Sequence, residues 1–315
     1  MMDMWSATGN KIPRAFTFDP SWPLPMEEST FDQLDMLQYS HSPDGNVLDT
    51  NHQLRRYSLW GLMVPLTNLK GEIHDLNDQF RGMSYVNDAV LLHFVSSIAC
   101  KLEQWTSSLP SNMRDTAENL TLFASRGLCG SFIALHIGYH YYCILLYFRF
   151  LYVGIGPQSS PQAVTYALRC KSHATAISED LWAGYHDHNS ECSWPLVSHL
   201  LVVSSSVHLH TLLLENDQGL VARARTLLQQ NFVLLMRQRM AWPWLPHSMM
   251  RLKAFHDACL QTLKTEDAYR MDDWMMKFLH EHSVAVMNDR SEHEPQLFNF
   301  ETWGGLSPRD QQFVQ

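Results

Sequence analysis

The strongest constraint on the fold is the stretch from Leu135 to Tyr152, which reads LHIGYHYYCILLYFRFLY. It is apolar or aromatic at most positions, and its one charged side chain is Arg149. A helix of this kind must be enclosed by a protein core or by a bilayer. A charge near the middle of a membrane span costs roughly 2.5 to 3.5 kcal/mol on insertion scales, and the neighbouring patterns are amphipathic. We therefore predict a helix buried at the centre of a large domain, and no membrane association.

Helical periodicity dominates the chain beyond its first fifty residues. Apolar residues recur at steps of four and three, as in the series Leu91, Val95, Ile98, Leu102 and Trp105. A serine followed by proline at 160 and 161 is typical of a helix start. Further helical patterns cover 196–214, 220–240 and 247–263. The predicted fold class is all-α, a large irregular multi-helix domain.

Two segments leave a choice open. Pro65 lies inside a helical pattern that runs from Gln53 to Phe80, which predicts a kink or two separate helices. The alternation from Val207 to His210 is compatible with a strand, but the length of the uninterrupted apolar pattern favours a helix.

Composition divides the chain into three predicted parts. Residues 1–50 carry several prolines among polar residues and form an extended N-terminal segment. Residues 51–288 form the helical domain, and residues 289–315 an acidic, loosely ordered C-terminal tail. For the last helical pattern, 269–287, we predict packing against the core, with an acidic and aromatic activation segment as the alternative.

Charge argues against nucleic-acid binding. The chain of 315 residues has a formal net charge of −9, so it repels a phosphate backbone unless its basic residues cluster on one face. Arg223, Arg225, Arg237 and Arg239 are spread along one helical pattern, as expected of a solvated helix surface. The N-terminus has neither an apolar run nor a positive cluster of the secretory kind, which predicts an intracellular protein.

The six cysteines do not form a binuclear zinc cluster, although their number matches one. Such a cluster needs two close-spaced triplets of thiolates, whereas these residues stand at 100, 129, 143, 170, 192 and 259. We predict free, mostly buried thiols.

Two groups of side chains deserve testing as metal or catalytic sites. His186, Asp187, His188, Glu191 and Cys192 form the densest cluster of ligand types, in a stretch predicted to be a loop. His136 and His140 are four apart, so both imidazoles point the same way on a helix, but the HExxH pattern is absent. Irregular spacing in the first group and an aromatic setting in the second favour structural roles, and we assign no catalytic, cofactor-binding or metal residue.

Five segments follow one another in a fixed order: WPLP at 22–25 with Glu27, Glu28 and Phe31 behind it, WTSSLP at 105–110, the helix of 135–152, CKSHATAISEDL at 170–181, and PLVSHLLVVSSSVHLHTLL at 195–213. Together with Trp242-Pro243, this order resembles the regulatory (middle homology) domain of fungal binuclear zinc-cluster transcription factors. The resemblance covers most of the chain. It implies packing roles for the matching residues, which are Trp105, Leu109, Pro110, Leu135, Tyr139, Phe150, Cys170, Ala174 and Ala176.

In that family an N-terminal zinc cluster reads DNA, a linker often dimerises the protein, and the helical domain controls activation. The resemblance therefore implies a nuclear transcription regulator that lacks its own DNA-binding cluster, either because the sequence is truncated or because the cluster never existed. Its implied partners are transcriptional co-regulators or a full-length zinc-cluster factor, together with a small-molecule effector, and no cofactor is expected. The alternatives are an all-α metal-dependent enzyme that uses His186, His188 and Glu191 or the His136 and His140 pair, and a remnant without a biochemical role.

Overall fold

The computed structural model describes residues 25, 28, 58–82, 89–153, 160–238, 245–262 and 271–282. These residues are 84% helical and contain no strand, which confirms the all-α class. The helices, in chain order, are α1 Leu59–Gln79, α2 Ala89–Ser108, α3 Ala117–Ser125, α4 Cys129–Tyr147, α5 Phe150–Val153, α6 Pro161–His188, α7 Val197–Leu214, α8 Gln218–Gln238, α9 Leu245–Thr262 and α10 Asp273–His280. A 3₁₀ turn at Ser111–Met113 lies between α2 and α3.

Two helices that are apolar on all sides form the centre. Most of α4 is buried, and α7 is buried without interruption from Val197 to Thr211. By length and composition both are able to cross a membrane, yet 78% and 83% of their most apolar windows are buried inside the structure. A helix that is apolar all round is what a large core requires. The predicted buried central helix is thus confirmed for α4, and the helical prediction is confirmed for α7.

Helix α6 lies against both central helices and joins them into one core. Its small side chains Cys170 and Ala174 are fully buried. A Cβ added to Gly184 of α6 would lie 2.4 Å from Cδ1 of Ile133 in α4, so the two backbones approach closely there. Helices α1, α2 and α3 also pack on α4, while α8 and α9 pack on α7.

Pro65 lies within a continuous helix, so the two-helix alternative is wrong. The proline is exposed at the seventh position of α1. Two carbonyl groups near the proline accept hydrogen bonds from side chains. Trp105 Nε1 donates to the Leu62 carbonyl at 3.1 Å, and Thr67 Oγ1 donates to the Val64 carbonyl at 2.7 Å. The proline removes the amide that would bond the carbonyl four residues before it, that of Gly61. This costs one intrahelical hydrogen bond, and α1 continues beyond it to Gln79.

The start of α1 is capped by two side chains. Ser58 Oγ accepts a hydrogen bond from the Gly61 amide at 3.1 Å. Glu28, from the WPLPMEE segment, accepts from the amides of Leu59 and Trp60 at 3.3 and 3.2 Å. A carboxylate at a helix N-terminus satisfies unpaired amides and complements the helix dipole. Glu28 is therefore held against the start of α1.

The described part of the last helical pattern packs as predicted. Asp272 caps α10 by accepting from the Met275 amide at 2.9 Å. Phe278 is fully buried and stacks on Phe255 of α9 at 5.0 Å between ring centroids. The alternative of an exposed activation segment is therefore wrong for 273–280. The predicted domain boundary near residue 50 and the predicted tail of 289–315 lie outside the described residues.

We expect Gly184→Ala to lower the free energy of unfolding by about 1 to 2 kcal/mol, because overpacking a core outweighs the gain of about 1 kcal/mol in helix propensity. The added methyl group meets Ile133 Cδ1 at 2.4 Å and the Ser190 carbonyl at 3.3 Å. Urea denaturation measures the change.

Two variants make this test specific. Gly138→Ala in α4 is the matched control, because its nearest neighbour would lie at an ordinary 3.6 Å, and it should be neutral or stabilising. Ile133→Val removes the clashing Cδ1, so Gly184→Ala should be less destabilising in that background. An equal loss in both backgrounds would contradict the close approach of α4 and α6.

Candidate functional site

The structure corrects the predicted loop around His186. His186 and His188 lie in the last turn of α6, which ends at Asn189 in the left-handed conformation with φ 46°. Asparagine tolerates this conformation, so it ends the helix later than the polar composition indicated. The Nδ1 atom of His186 lies 2.7 Å from Asp187 Oδ1, and both side chains are exposed.

The rest of that stretch points to other partners. Glu191 Oε1 pairs with Arg237 Nη2 of α8 at 2.6 Å, and the guanidinium lies over the Tyr185 ring at 4.6 Å. Cys192 is buried, and its thiol donates to the Gly130 carbonyl at 3.3 Å. The stretch therefore does not form the converging ligand set that the metalloenzyme alternative requires.

The second candidate pair, His136 and His140, joins a different group of residues. His140 Nε2 lies 3.1 Å from Asp115 Oδ2, and His140 Nδ1 lies 2.8 Å from His173 Nδ1 of α6. One ligand atom from each of Asp115, His140 and Asp180 lies within 4.8 Å of the others. We call these three residues the Asp-His-Asp cluster. His136 lies one helical turn before His140 on α4.

The segment that carries Asp115 is held in place by hydrogen bonds. Asn119 Nδ2 donates to the carbonyls of Ser111 and Arg114 at 2.9 and 2.8 Å. Thr116 Oγ1 caps α3 by accepting from the Asn119 amide at 3.2 Å. These bonds position Asp115 between the 3₁₀ turn and α3, beside α4 and α6.

The two carboxyl groups of the cluster differ in environment. The Oδ2 atom of Asp180 is inaccessible to solvent and has no hydrogen-bond partner among the described residues. Burial raises the pKa of Asp180 well above its ordinary value, and the charges of Asp115 and Glu179 add to this. Burial also acts to raise the pKa of Asp115, but the hydrogen bond to His140 and the nearby imidazoles outweigh it and leave that pKa lowered. Asp115 is therefore the ionised member of the cluster, whereas the enclosed Oδ2 of Asp180 has no hydrogen-bond donor among the described residues.

The flanking imidazoles are neutral at pH 7. Burial lowers the pKa of His136 to about 4, although Asp115 opposes the shift. Burial, with the nearby His140 and Arg169, lowers the pKa of His173 to about 3. A neutral His173 offers one donor and one acceptor nitrogen, so it is able to accept a hydrogen bond from Nδ1 of His140 and orient that ring.

Sequence reasoning identified only part of this group. It considered His136 and His140 but missed Asp115, His173 and Asp180. His173 and Asp180 are seven residues apart, which places them on one face of α6, and this spacing was a readable signal. Asp115 lies 25 residues before His140 in an irregular segment, so no periodicity connects the two.

The histidines of α7 have structural roles. His208 Nε2 lies 2.9 Å from Ser178 Oγ of α6, while His210 Nε2 lies 3.0 Å from the Leu151 carbonyl of α5. Their spacing of two residues turns them toward different helices. His280 Nε2 of α10 lies 3.4 Å from Asn77 Nδ2, again within the core.

The described cysteines are free thiols, as predicted. Cys100 is exposed, and Cys129, Cys143, Cys170 and Cys192 are buried. Burial raises the pKa of Cys143 to about 12 and that of Cys192 to about 11, which makes them inert at neutral pH.

No family model, no curated protein and no solved structure matches this chain. The resemblance of the five ordered segments to the fungal regulatory domain therefore stays a prediction.

Because its histidines are buried, we expect the folded state to lose stability in acid. Burial, with the nearby Arg223, lowers the pKa of His208 to about 3, against about 6.5 in an unfolded chain. Between these values the unfolded state binds a proton that the folded state does not, so stability is full above pH 6.5 and falls as the pH falls toward 3. We expect His208→Gln to reduce the slope of unfolding free energy against pH by about 1.4 kcal/mol per pH unit in this window. Urea denaturation at several pH values measures the slope.

Ser206→Ala is the control, because it changes another buried polar position of α7 without removing a titrating group, so it should leave the slope unchanged. Equal slopes for wild type and His208→Gln would show that His208 does not titrate on unfolding.

Proposed function

We propose that this chain is a regulatory domain of the fungal zinc-cluster transcription-factor type, without a DNA-binding cluster of its own. It acts in the nucleus through contacts with co-regulators or with a full-length zinc-cluster factor, under the control of a small effector. It is not an enzyme in this proposal.

The observation that carries the proposal is that described residues of all five ordered segments take part in the helical domain. Three of them supply α4, α6 and α7, which pack together as the core. The tryptophan of a fourth, Trp105, stacks on Tyr139 of α4 at 5.3 Å between ring centroids, and Glu28 of the fifth caps α1. Segments that build a scaffold together are what a domain for contact and control requires.

The distribution of charge supports the same proposal. Several basic side chains on the described surface pair with acidic ones, as Arg169 does with Glu103 and Arg223 with Glu179, at 2.6 and 2.5 Å. The net charge of −9 adds long-range repulsion of a phosphate backbone. A regulator that reaches DNA through another protein is consistent with this pattern.

One observation favours a second candidate, an all-α metal-dependent enzyme. The Asp-His-Asp cluster brings His140 together with two carboxylates, although His186, His188 and Glu191 do not converge. For this candidate the reaction and substrate have no support among the described residues, so it ranks second.

The proposal is tested with the full chain fused to an unrelated DNA-binding domain in a fungal reporter strain. We expect transcription to change several-fold relative to the DNA-binding domain alone, and the unfused chain to give no sequence-specific gel shift. Leu200→Asp, which places a charge in the middle of α7, should abolish the effect because the scaffold no longer folds.

Two results would contradict the proposal. One is tight, sequence-specific DNA binding by the unfused chain. The other is an unchanged reporter when the fusion is folded, nuclear and abundant, which is what the enzyme candidate predicts.

A further inference from the structure

We propose that the Asp-His-Asp cluster is a binding site for a divalent first-row transition metal, with Zn²⁺ as the expected ion. Asp115, His140 and Asp180 would each supply one ligand. This site goes beyond the regulatory function proposed above and does not depend on it.

The ligand types select this class of ion. Zn²⁺ accepts imidazole nitrogen and carboxylate oxygen at about 2.0 to 2.2 Å and prefers a tetrahedral arrangement. An all-oxygen site would favour Mg²⁺ or Ca²⁺, but an imidazole among the ligands shifts the preference to transition metals. Three protein ligands leave a fourth position for water or for another donor.

The distances suit such a site. Ligand atoms around tetrahedral Zn²⁺ are separated by about 3.3 Å, as bond lengths near 2 Å require. His140 Nε2 and Asp115 Oδ2 are already 3.1 Å apart, and all three ligand atoms lie within 4.8 Å of one another. The backbones of the three residues are held by α4, by α6 and by the capped start of α3. Small side-chain rotations would be enough to bring the three ligand atoms to this separation.

His140 is oriented as a metal ligand would be. Its Nδ1 lies 2.8 Å from Nδ1 of the largely buried His173. In the metal-free protein Nε2 donates its proton to Asp115. The ion would replace that proton and leave the remaining proton on Nδ1, where His173 accepts it. Metal-binding histidines usually donate their other N–H in this way, which fixes the tautomer and the ring. His173 is thus a positioning residue for the site.

Asp180 is the independent second observation. Its side chain is half-buried, but its Oδ2 is inaccessible to solvent and has no hydrogen-bond partner among the described residues, whereas an enclosed carboxylate oxygen normally has a donor or a counterion. It lies beside a second carboxylate, Asp115, and the charge of Glu179 is also close enough to act on it. A divalent cation between the two carboxylates would neutralise both.

The cluster also has a route for entry. The side chain of Asp115 is 36% exposed, whereas that of His140 is 12% exposed. The exposed carboxylate lies at the rim, and Asp180 lies at the enclosed end. A bound ion would fasten α6 to α4 and to the segment before α3.

The test uses the purified full chain, stripped of metal with a chelator. Calorimetric titration with Zn²⁺ is expected to give one site per chain, and titration with Co²⁺ should produce visible absorption bands of a tetrahedral nitrogen and oxygen site. Thermal unfolding should shift to higher temperature with Zn²⁺, because the ion binds only the folded state.

Three substitutions probe the ligands. His140→Gln, Asp180→Asn and Asp115→Asn should each weaken Zn²⁺ binding by about 100-fold or more, since loss of second-shell partners alone weakens it by about 10 to 100-fold. Asp115 is partly exposed, so its variant should fold normally. Asp180→Asn should leave the metal-free protein at least as stable as wild type, because the amide carries no charge to bury. A carboxylate with a merely structural role would make this variant less stable.

The matched control is the double variant His186→Gln with Asp187→Asn. That exposed pair on α6 has a similar separation of 2.7 Å but belongs to no converging group of three among the described residues. Its removal should leave Zn²⁺ binding unchanged. The proposal is overturned if the wild-type chain binds Zn²⁺ no more tightly than the Asp180→Asn and Asp115→Asn variants do. It is also overturned if the control variant alone loses Zn²⁺ binding.

Discussion

The structure depends on the enclosure of two helices that have no polar face. Helices α4 and α7 bury most or all of their circumference, and each buried apolar side chain contributes about 1.5 to 3 kcal/mol relative to exposure. Several polar groups of α7 are paired inside the core, as where Asn231 Nδ2 donates to Ser204 and Ser205 at 3.1 and 3.0 Å. The other helices are arranged around α4 and α7 because those two must be covered on every side.

The seam between α4 and α6 carries both a close approach of two backbones and residues of the Asp-His-Asp cluster. Near one end, Gly184 allows the backbones to approach. Farther along, His140, His173 and Asp180 project from the same two helices. Rigid helices hold side chains more closely than loops do, and the loop residue Asp115 depends on Asn119 for its position. The close packing of α4 against α6 thus also fixes the positions of His140, His173 and Asp180.

A contact scaffold and a metal site are compatible in one domain. A contact surface requires a stable body, and a bound ion at the α4 and α6 seam would add to that stability in the folded state alone. On the described surface arginines pair with carboxylates, as Arg223 does with Glu179, and the thiols of Cys129, Cys143, Cys170 and Cys192 are buried. The regulatory proposal relies on the order of the segments, while the metal proposal relies on three side chains, so each stands on separate observations.

The sequence by itself determined the helical class, the buried central helix, the free thiols and most helix positions, because periodicity and punctuation are local properties of the chain. It misplaced the end of α6, where Asn189 adopts a conformation that composition does not reveal. Only the tertiary structure decided that Glu191 pairs with Arg237 of α8 and that Asp115, His140 and Asp180 come together. Such convergence depends on how helices distant in sequence pack against one another, and no local pattern encodes the distance between them.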